Sequence, residues 1–452
     1  MKSTAAVENS LGKIADLDRS NYLLNAVLAI AENALEQAIE FDNNDLDLPL
    51  KGIPILIKDN IEAVGLPATA GSLALANTPV EKDSTIASRL RKAGAIIIGA
   101  TNLSEWANIR SSKSASGWSA VGGLTANPWK HSHSAGGSSS GSGAAVAAGL
   151  TQWAIGTETD GSIICPASLN GCVGIKPTVG SIPRDGVIPI SESQDSPGPM
   201  TQTVMQAAQL LDVLTAKKEY VLAAQSDTKL RIGVVPQWMT SNADVDARFE
   251  EARVLLEKSG MELIEVDLTP PESQEHEDEL AVLLYELGTG IHSYLANRLG
   301  ARVSSLSDIV NFNKQNSENE LKYFGQELFE KALEFQNKRA EYLATRNRNK
   351  LWAEKTLAQG LINVDVLIGC TYGPAWESSL EHGDKFDSAS WITSAPAIAG
   401  TPIGTIPMGL ASGLPVGLGF VSGRGQEDKL ITAMAQAERG LGLGVMQPSF
   451  KK

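Results

Sequence analysis

A short apolar run that ends in a charged residue restricts the folds open to this chain. Residues 53–57 read IPILI, and Lys58 follows. An apolar run of this length is typical of a strand buried on both faces. Downstream, Asp83 and Ser84 offer an N-cap to the helical segment TIASRLRKA, Gly94 ends it, and AIIIG follows as another strand. This order predicts an α/β fold with Lys58 at the carboxyl end of a strand.

The rest of the chain continues the alternation of strands and helices. RIGVV predicts a strand, DVDARFEEARVLLEKSG a helix that ends at Gly260, and MELIEVDL another strand. Apolar residues near helical spacing predict an amphipathic helix over residues 20–40, namely Leu23, Val27, Ile30, Leu35 and Ile39.

The C-terminal part reads differently from the outer segment before it. Residues 276–360 are predicted to be mostly helical, as an outer layer or a lid, whereas PAIAGTPIGTIPMG and LPVGLGFV predict strands and tight turns. Neither an internal repeat nor a long low-complexity linker divides the chain. We therefore expect one large domain over residues 1–452.

The composition excludes several classes of function. A net charge of -14 over 452 residues disfavours a nucleic-acid binder, which needs clustered cations. The N-terminus has no secretory apolar segment, and no run approaches the roughly 18 apolar residues of a membrane span. Three cysteines indicate a reducing compartment rather than a disulfide framework. We expect a cytoplasmic protein with no membrane or nucleic-acid partner, while its oligomeric state stays open.

The sequence offers no clear metal or cofactor site. Five histidines are scattered, and His131 with His133 is the one close pair. The segment GGSSSGSGAAVAAGL (136–150) lacks the lysine of a phosphate-binding loop, because Ser142 and Gly143 follow Gly141. We expect neither a metal nor a cofactor. The segment instead predicts a loop of close backbone approach that leads into a buried helix.

A second Gly-rich turn, GTETDGSIICPAS, contains Ser162. Turns of this kind can expose a hydroxyl and direct backbone N–H groups to one point, as an oxyanion hole requires. No histidine lies in either Ser-rich segment, so Lys58, desolvated at the end of its strand, is the remaining candidate for a base. Taken singly, Ser138 and Ser162 also fit ordinary turn residues, and a lysine at a strand end also fits a solvated side chain.

Together these segments resemble the amidase-signature hydrolases. The resemblance rests on KGIPILIKDN, GGSSSGSGAAVAAGL, GTETDGSIICPAS and NGCVGIKPTVGSIPRDG, in order, over about residues 50–200. It implies a single domain with a mixed sheet covered by helices on both faces. It also implies a triad of Lys58 as base, Ser138 on a cis peptide bond as bridge and Ser162 as nucleophile, with an oxyanion hole of backbone N–H groups at Thr159, Asp160 and Gly161.

Departures from the family pattern bear on the substrate. Many members have arginine where this chain has Ile164, and in glutamine-using subunits of tRNA amidotransferases that position is associated with a charged substrate. TETDGSI, TNLSEWANIR, ISESQDSPGPM and YFGQELFE resemble the bacterial peptide amidases, which remove C-terminal amides. We expect the Asp160 carboxylate to bond within its turn, since a charge facing the oxyanion would oppose catalysis.

Two other functions stay open at this point. A broad amidase for small aliphatic or aryl amides would share the triad and differ in its cleft, and a binding or complex-forming subunit would keep the scaffold without needing the triad. Four aromatic residues are candidates for the cleft wall or for plain core, namely Trp106, Trp118, Trp376 and Tyr372.

Overall fold

In the computed structural model, which describes residues 2–450, eleven strands form one mixed β-sheet. A separate two-stranded hairpin consists of β4 and β5. The strands are β1 (Val27–Ile30), β2 (Pro54–Lys58), β3 (Ile96–Thr101), β4 (Trp118–Ser119), β5 (Gly123–Leu124), β6 (Trp153–Glu158), β7 (Val173–Lys176), β8 (Ser196–Thr201), β9 (Arg231–Val234), β10 (Glu262–Glu265), β11 (Val366–Cys370), β12 (Ile403–Ala411) and β13 (Leu414–Ser422).

The order of the strands in the large sheet is β1-β3-β2-β6-β8-β7-β12-β13-β11-β9-β10. β2 lies between β3 and β6 and runs parallel to both, while β6, β8, β7, β12 and β13 are successively antiparallel. Parallel strands end at the same edge of a sheet. Lys58 at the end of β2 and Glu158 at the end of β6 are therefore neighbours at one edge.

Helices flank the sheet, which confirms the predicted α/β class. They are α1 (Ser3–Lys13), α2 (Ala34–Asp42), α3 (Thr85–Lys92), α4 (Ser140–Ala147), α5 (Ile164–Asn170), α6 (Val204–Thr215), α7 (Tyr220–Gln225), α8 (Ala243–Lys258), α9 (Ser273–Asn297), α10 (Leu306–Gln315), α11 (Ser317–Glu320), α12 (Glu327–Phe335), α13 (Arg339–Gly360), α14 (Ser394–Ala399) and α15 (Glu427–Leu441). Within residues 2–450, none of these helices combines the length and the hydropathy that crossing a bilayer requires.

The predicted helix over residues 20–40 is wrong in its first half. Residues 27–30 form β1, which pairs antiparallel with β3, and α2 begins only at Ala34. Leu23 and Asn25 have positive φ angles of 59° and 55°, which end any helix there. Pairing with the edge of the sheet outweighs the helical spacing of the apolar residues.

The secondary structure predicted for the outer segment agrees with the structure, whereas that predicted for the C-terminal segment agrees only in part. Residues 394–399 are helix α14 rather than strand, whereas β12 and β13 form the predicted hairpin further on. Helices α9 to α13 occupy residues 273–360, as the pattern predicts. They pack over a separate apolar cluster that includes Trp106, Ile190, Leu287 and Phe329.

Helix α4 explains the small residues of the segment 136–150. Every residue of the helix is buried. A Cβ atom at Gly141 would collide with the Ala26 carbonyl oxygen, and one at Gly143 would lie 2.9 Å from the Pro166 carbonyl oxygen. Small side chains let this helix lie close to the sheet and to α5, and they fix the position of the loop before it.

Candidate active site

Lys58 is fully buried where β2 ends. Its ammonium nitrogen donates hydrogen bonds to Ser138 Oγ at 2.7 Å, to Thr157 Oγ1 at 2.9 Å and to the Thr157 carbonyl oxygen at 3.3 Å. Asn60 Nδ2 donates to the same Thr157 hydroxyl at 3.0 Å. The side chain is thus held toward Ser138 by neighbours on its own strand end and on β6.

Burial lowers the pKa of Lys58 from its usual 10.5 to about 7. Desolvation is the largest cause, because it penalises the charged amine. The carboxylates of Asp195 and then Glu158 act in the opposite direction and raise the pKa. A substantial neutral fraction near pH 7 makes Lys58 able to accept a proton.

Ser138 lies just before α4 and is fully buried. The Gly137–Ser138 peptide bond is cis, as the family resemblance implies. The Ser104 amide donates to the Ser138 carbonyl at 3.1 Å. A side chain at Gly137 would collide with the Ser104 hydroxyl and lie 2.7 Å from Ser116 Oγ, so the loop is enclosed on this side.

Ser162 belongs to the turn between β6 and α5, which we call the nucleophile turn (residues 159–162). The Ser162 side chain is 9% exposed, and Gly161 has a φ of +73°. The Ser139 amide donates to the Ser162 carbonyl at 3.1 Å, which ties this turn to the loop that carries Ser138. In the described part of the chain, the Asp160 and Gly161 N–H groups have no hydrogen-bond acceptor, so they are free to bind an oxyanion.

Two buried carboxylates, which sequence reasoning missed, hold this turn in place. Glu158 Oε2 accepts the Ile163 and Ile164 amides at 2.7 and 2.9 Å. Asp195 accepts the Thr159 hydroxyl at 2.6 Å. Both residues lie in segments that carry the family resemblance, but their partners depend on how separate segments fold together.

Asp160 has its neighbours outside the nucleophile turn, unlike the expected local bonding. Thr393 and Glu279 contact its side chain, and Lys176 and His276 act on it electrostatically. Burial raises the pKa of Asp160. Lys176 is fully buried, donates to the Thr401 carbonyl at 2.6 Å, and has a pKa lowered by burial to about 8.

The four candidate aromatic residues have different surroundings. Trp106 packs edge-on against Phe329 with ring centroids 5.7 Å apart, and Trp118 packs similarly in another cluster, so both are core. The Tyr372 hydroxyl occupies the space that a Cβ atom at Gly161 would need. Tyr372 also lines a cavity of about 380 Å³ together with Trp376 and Phe386.

His131 and His133 make packing and backbone contacts. His131 packs edge-on against Tyr22, with 5.1 Å between the ring centroids. The backbone of His133 pairs with that of Glu377 in an isolated antiparallel β-bridge. Among residues 2–450, no group of three or more His, Cys, Asp or Glu side chains could hold a metal ion.

Comparison with known proteins reveals similarity over nearly the whole chain. A family model described as Amidase matches residues 5–431. Native peptide amidase from Stenotrophomonas maltophilia has a similar crystal structure, with 39% identity, a TM-score of 0.92, and coverage of 100% of this chain and 96% of that one. Mandelamide hydrolase from Pseudomonas putida is 38% identical over 67% of this chain and 60% of its own length. A glutamyl-tRNA(Gln) amidotransferase subunit from Methanosarcina mazei is 31% identical, covering 94% of this chain and 92% of its own length.

Proposed function

The chain belongs to the amidase family, and we propose that it hydrolyses the C-terminal carboxamide of amidated peptides, with Ser162 as nucleophile and Lys58 as base through Ser138. The observation that carries the mechanism is the buried Lys58 amine, hydrogen-bonded at 2.7 Å to the Ser138 hydroxyl. The structural likeness to a peptide amidase supports the substrate class.

The reaction begins with proton transfer. Neutral Lys58 accepts the Ser138 proton, Ser138 accepts the Ser162 proton, and Ser162 Oγ attacks the carboxamide carbon. Backbone N–H groups at residues 159–161 bind the resulting oxyanion. The proton then returns from Lys58 through Ser138 to the amide nitrogen, which leaves as ammonia. Water attacks the Ser162 ester by the same relay and releases the acid.

Ile164 argues against transfer of ammonia from glutamine as the role of this chain. The residue is fully buried and apolar, so it offers no charge to bind an amino-acid carboxylate. Hydrolysis of small amides is the second candidate, because mandelamide hydrolase is 38% identical over part of the chain.

The test measures ammonia release and product mass with a C-terminally amidated peptide and, in parallel, with benzamide-type carboxamides. We expect a mass gain of one unit on the peptide with its internal bonds intact. Ser162→Ala should lower kcat by about 10⁴-fold or more, by the size of nucleophile deletions in serine hydrolases.

Ser142→Ala is the matched control. Ser142 lies on α4, where its hydroxyl bonds the Ile155 carbonyl at 3.1 Å and the Thr101 hydroxyl at 2.8 Å. Its side chain makes no hydrogen bond to the candidate triad, so the variant should keep the wild-type rate within several-fold. Turnover of small amides alone would support the broad amidase instead. No turnover of any amide would favour a binding subunit.

A further inference from the structure

Helix α9, in the outer helical segment, reaches the nucleophile turn through one side chain. Glu279 is 7% exposed, and its carboxyl group contacts the carboxyl group of Asp160. Gln194 Nε2 donates to Glu279 Oε1 at 2.8 Å and fixes the orientation of this group. One residue earlier on the helix, Asp278 accepts two hydrogen bonds from Arg348 of α13 at 2.6 and 2.7 Å.

The contact between Asp160 and Glu279 joins two groups that are both acceptors when ionised. Asp160 Oδ1 is buried and has no hydrogen-bond donor among the described residues. Two carboxylates in contact away from water repel each other, and an unpartnered buried oxygen is unfavourable. A single proton between them removes the repulsion and gives the Asp160 carboxyl group a donor, as in other carboxyl pairs that share a site.

We infer that Glu279 and Asp160 share one proton in a carboxylic acid–carboxylate hydrogen bond, and that this bond positions the N–H groups of the nucleophile turn for the oxyanion. Glu279 is then a positioning residue, and the inference rests on the proposed function. The bond directs the Asp160 carboxyl group toward α9. It also leaves one negative charge, rather than two, beside the developing oxyanion.

The shared proton makes the position of the turn dependent on pH. Burial, followed by the Asp160 charge, raises the pKa of Glu279 well above its usual range. Loss of the shared proton at alkaline pH would place two charges in contact and displace the turn, so kcat should fall there. The other titratable groups that act on the pair or are acted on by it are Lys176 on β7, His276 on α9, Glu158 on β6 and Tyr372.

The experiment compares Glu279→Ala, Glu279→Gln and Asp278→Ala as full-length proteins. Glu279→Ala removes the donor and should lower kcat for an amidated peptide by about 10- to 100-fold, the effect of a small displacement of reacting groups, with a smaller change in KM. Glu279→Gln keeps an N–H donor and should restore most of kcat without the alkaline decline. Asp278→Ala breaks a neighbouring anchor of the same helix and should change thermal stability more than kcat.

Infrared difference spectra give a readout that needs no turnover. The wild-type protein at neutral pH should show a protonated carboxylic-acid C=O band that Glu279→Gln lacks. The absence of this band would overturn the shared proton even if no amide were a substrate. An alkaline decline that persists in Glu279→Gln would assign it to Lys176 or Tyr372 and overturn the positioning role, as would wild-type kcat in Glu279→Ala.

Discussion

At the scale of single residues, the catalytic proposal depends on the charge of one amine. Lys58 has no solvent exposure, and its pKa is lowered to about 7. The base is the deprotonated form, so activity should rise with pH through a limb centred near 7 and then level off until other groups titrate. The measurement is kcat/KM for an amidated peptide over acid to alkaline pH. A flat profile would contradict the role of Lys58 as base.

A substitution at Asp195 should shift the pH at which activity rises. The Asp195 carboxylate raises the pKa of Lys58, so Asp195→Asn should lower that pKa further and shift the limb to more acid pH. Asp384→Asn is the matched control, because Asp384 is a partly buried carboxyl group that accepts the Ser116 hydroxyl at 2.6 Å and is not among the groups that shift the pKa of Lys58. Its limb should stay at the wild-type position. Equal shifts of the limb in both variants would indicate a general effect of removing a carboxylate.

At the scale of elements, the nucleophile turn depends on the absence of a side chain at Gly161. Gly161 has a φ of +73°, and a Cβ atom there would collide with the Tyr372 hydroxyl. Gly161→Ala should therefore combine the roughly 1–2 kcal/mol of a left-handed L-residue with a displaced turn and a large loss of kcat. Denaturant unfolding and kcat are the measurements.

Gly180→Ala separates the two effects. Gly180 has a φ of +89°, but a Cβ atom there would meet open space. This variant should lose a similar amount of stability and retain its activity. Adding Tyr372→Phe to Gly161→Ala removes the obstructing hydroxyl and should return part of kcat. Equal activity in both alanine variants would refute the argument from packing.

Local patterns predicted the elements whose signals are contained within a few residues. β2, β3 and α8 have apolar runs or caps that need no distant partner, and the structure contains them. The pattern over residues 20–40 failed because β1 exists only through its pairing with β3. The proposed bridging role of Ser138 came from the family resemblance and not from local patterns. Asp195 and Glu279 were not identified, because their partners lie far away in the sequence.

At the scale of the whole molecule, one sheet joins segments from both halves of the chain. β7 from the first half pairs antiparallel with β12 from the second. One apolar cluster extends from Val7 to Leu441 across this junction. A shared sheet and a shared core predict that both halves unfold in a single transition.

Three cysteines can test this cooperativity at separate places in the sheet and its flanking helix. Cys165, Cys172 and Cys370 are each at most 2% exposed, and burial raises the pKa of all three thiols, to about 12 for Cys172. Because the thiolate is the reactive form, the folded protein should resist a thiol reagent. In increasing denaturant, all three should become labelled at the concentration where circular dichroism and amidase activity are lost. Mass spectrometry locates each label, and reaction of Cys370 on β11 well before the other two would show that the second half of the sheet unfolds independently.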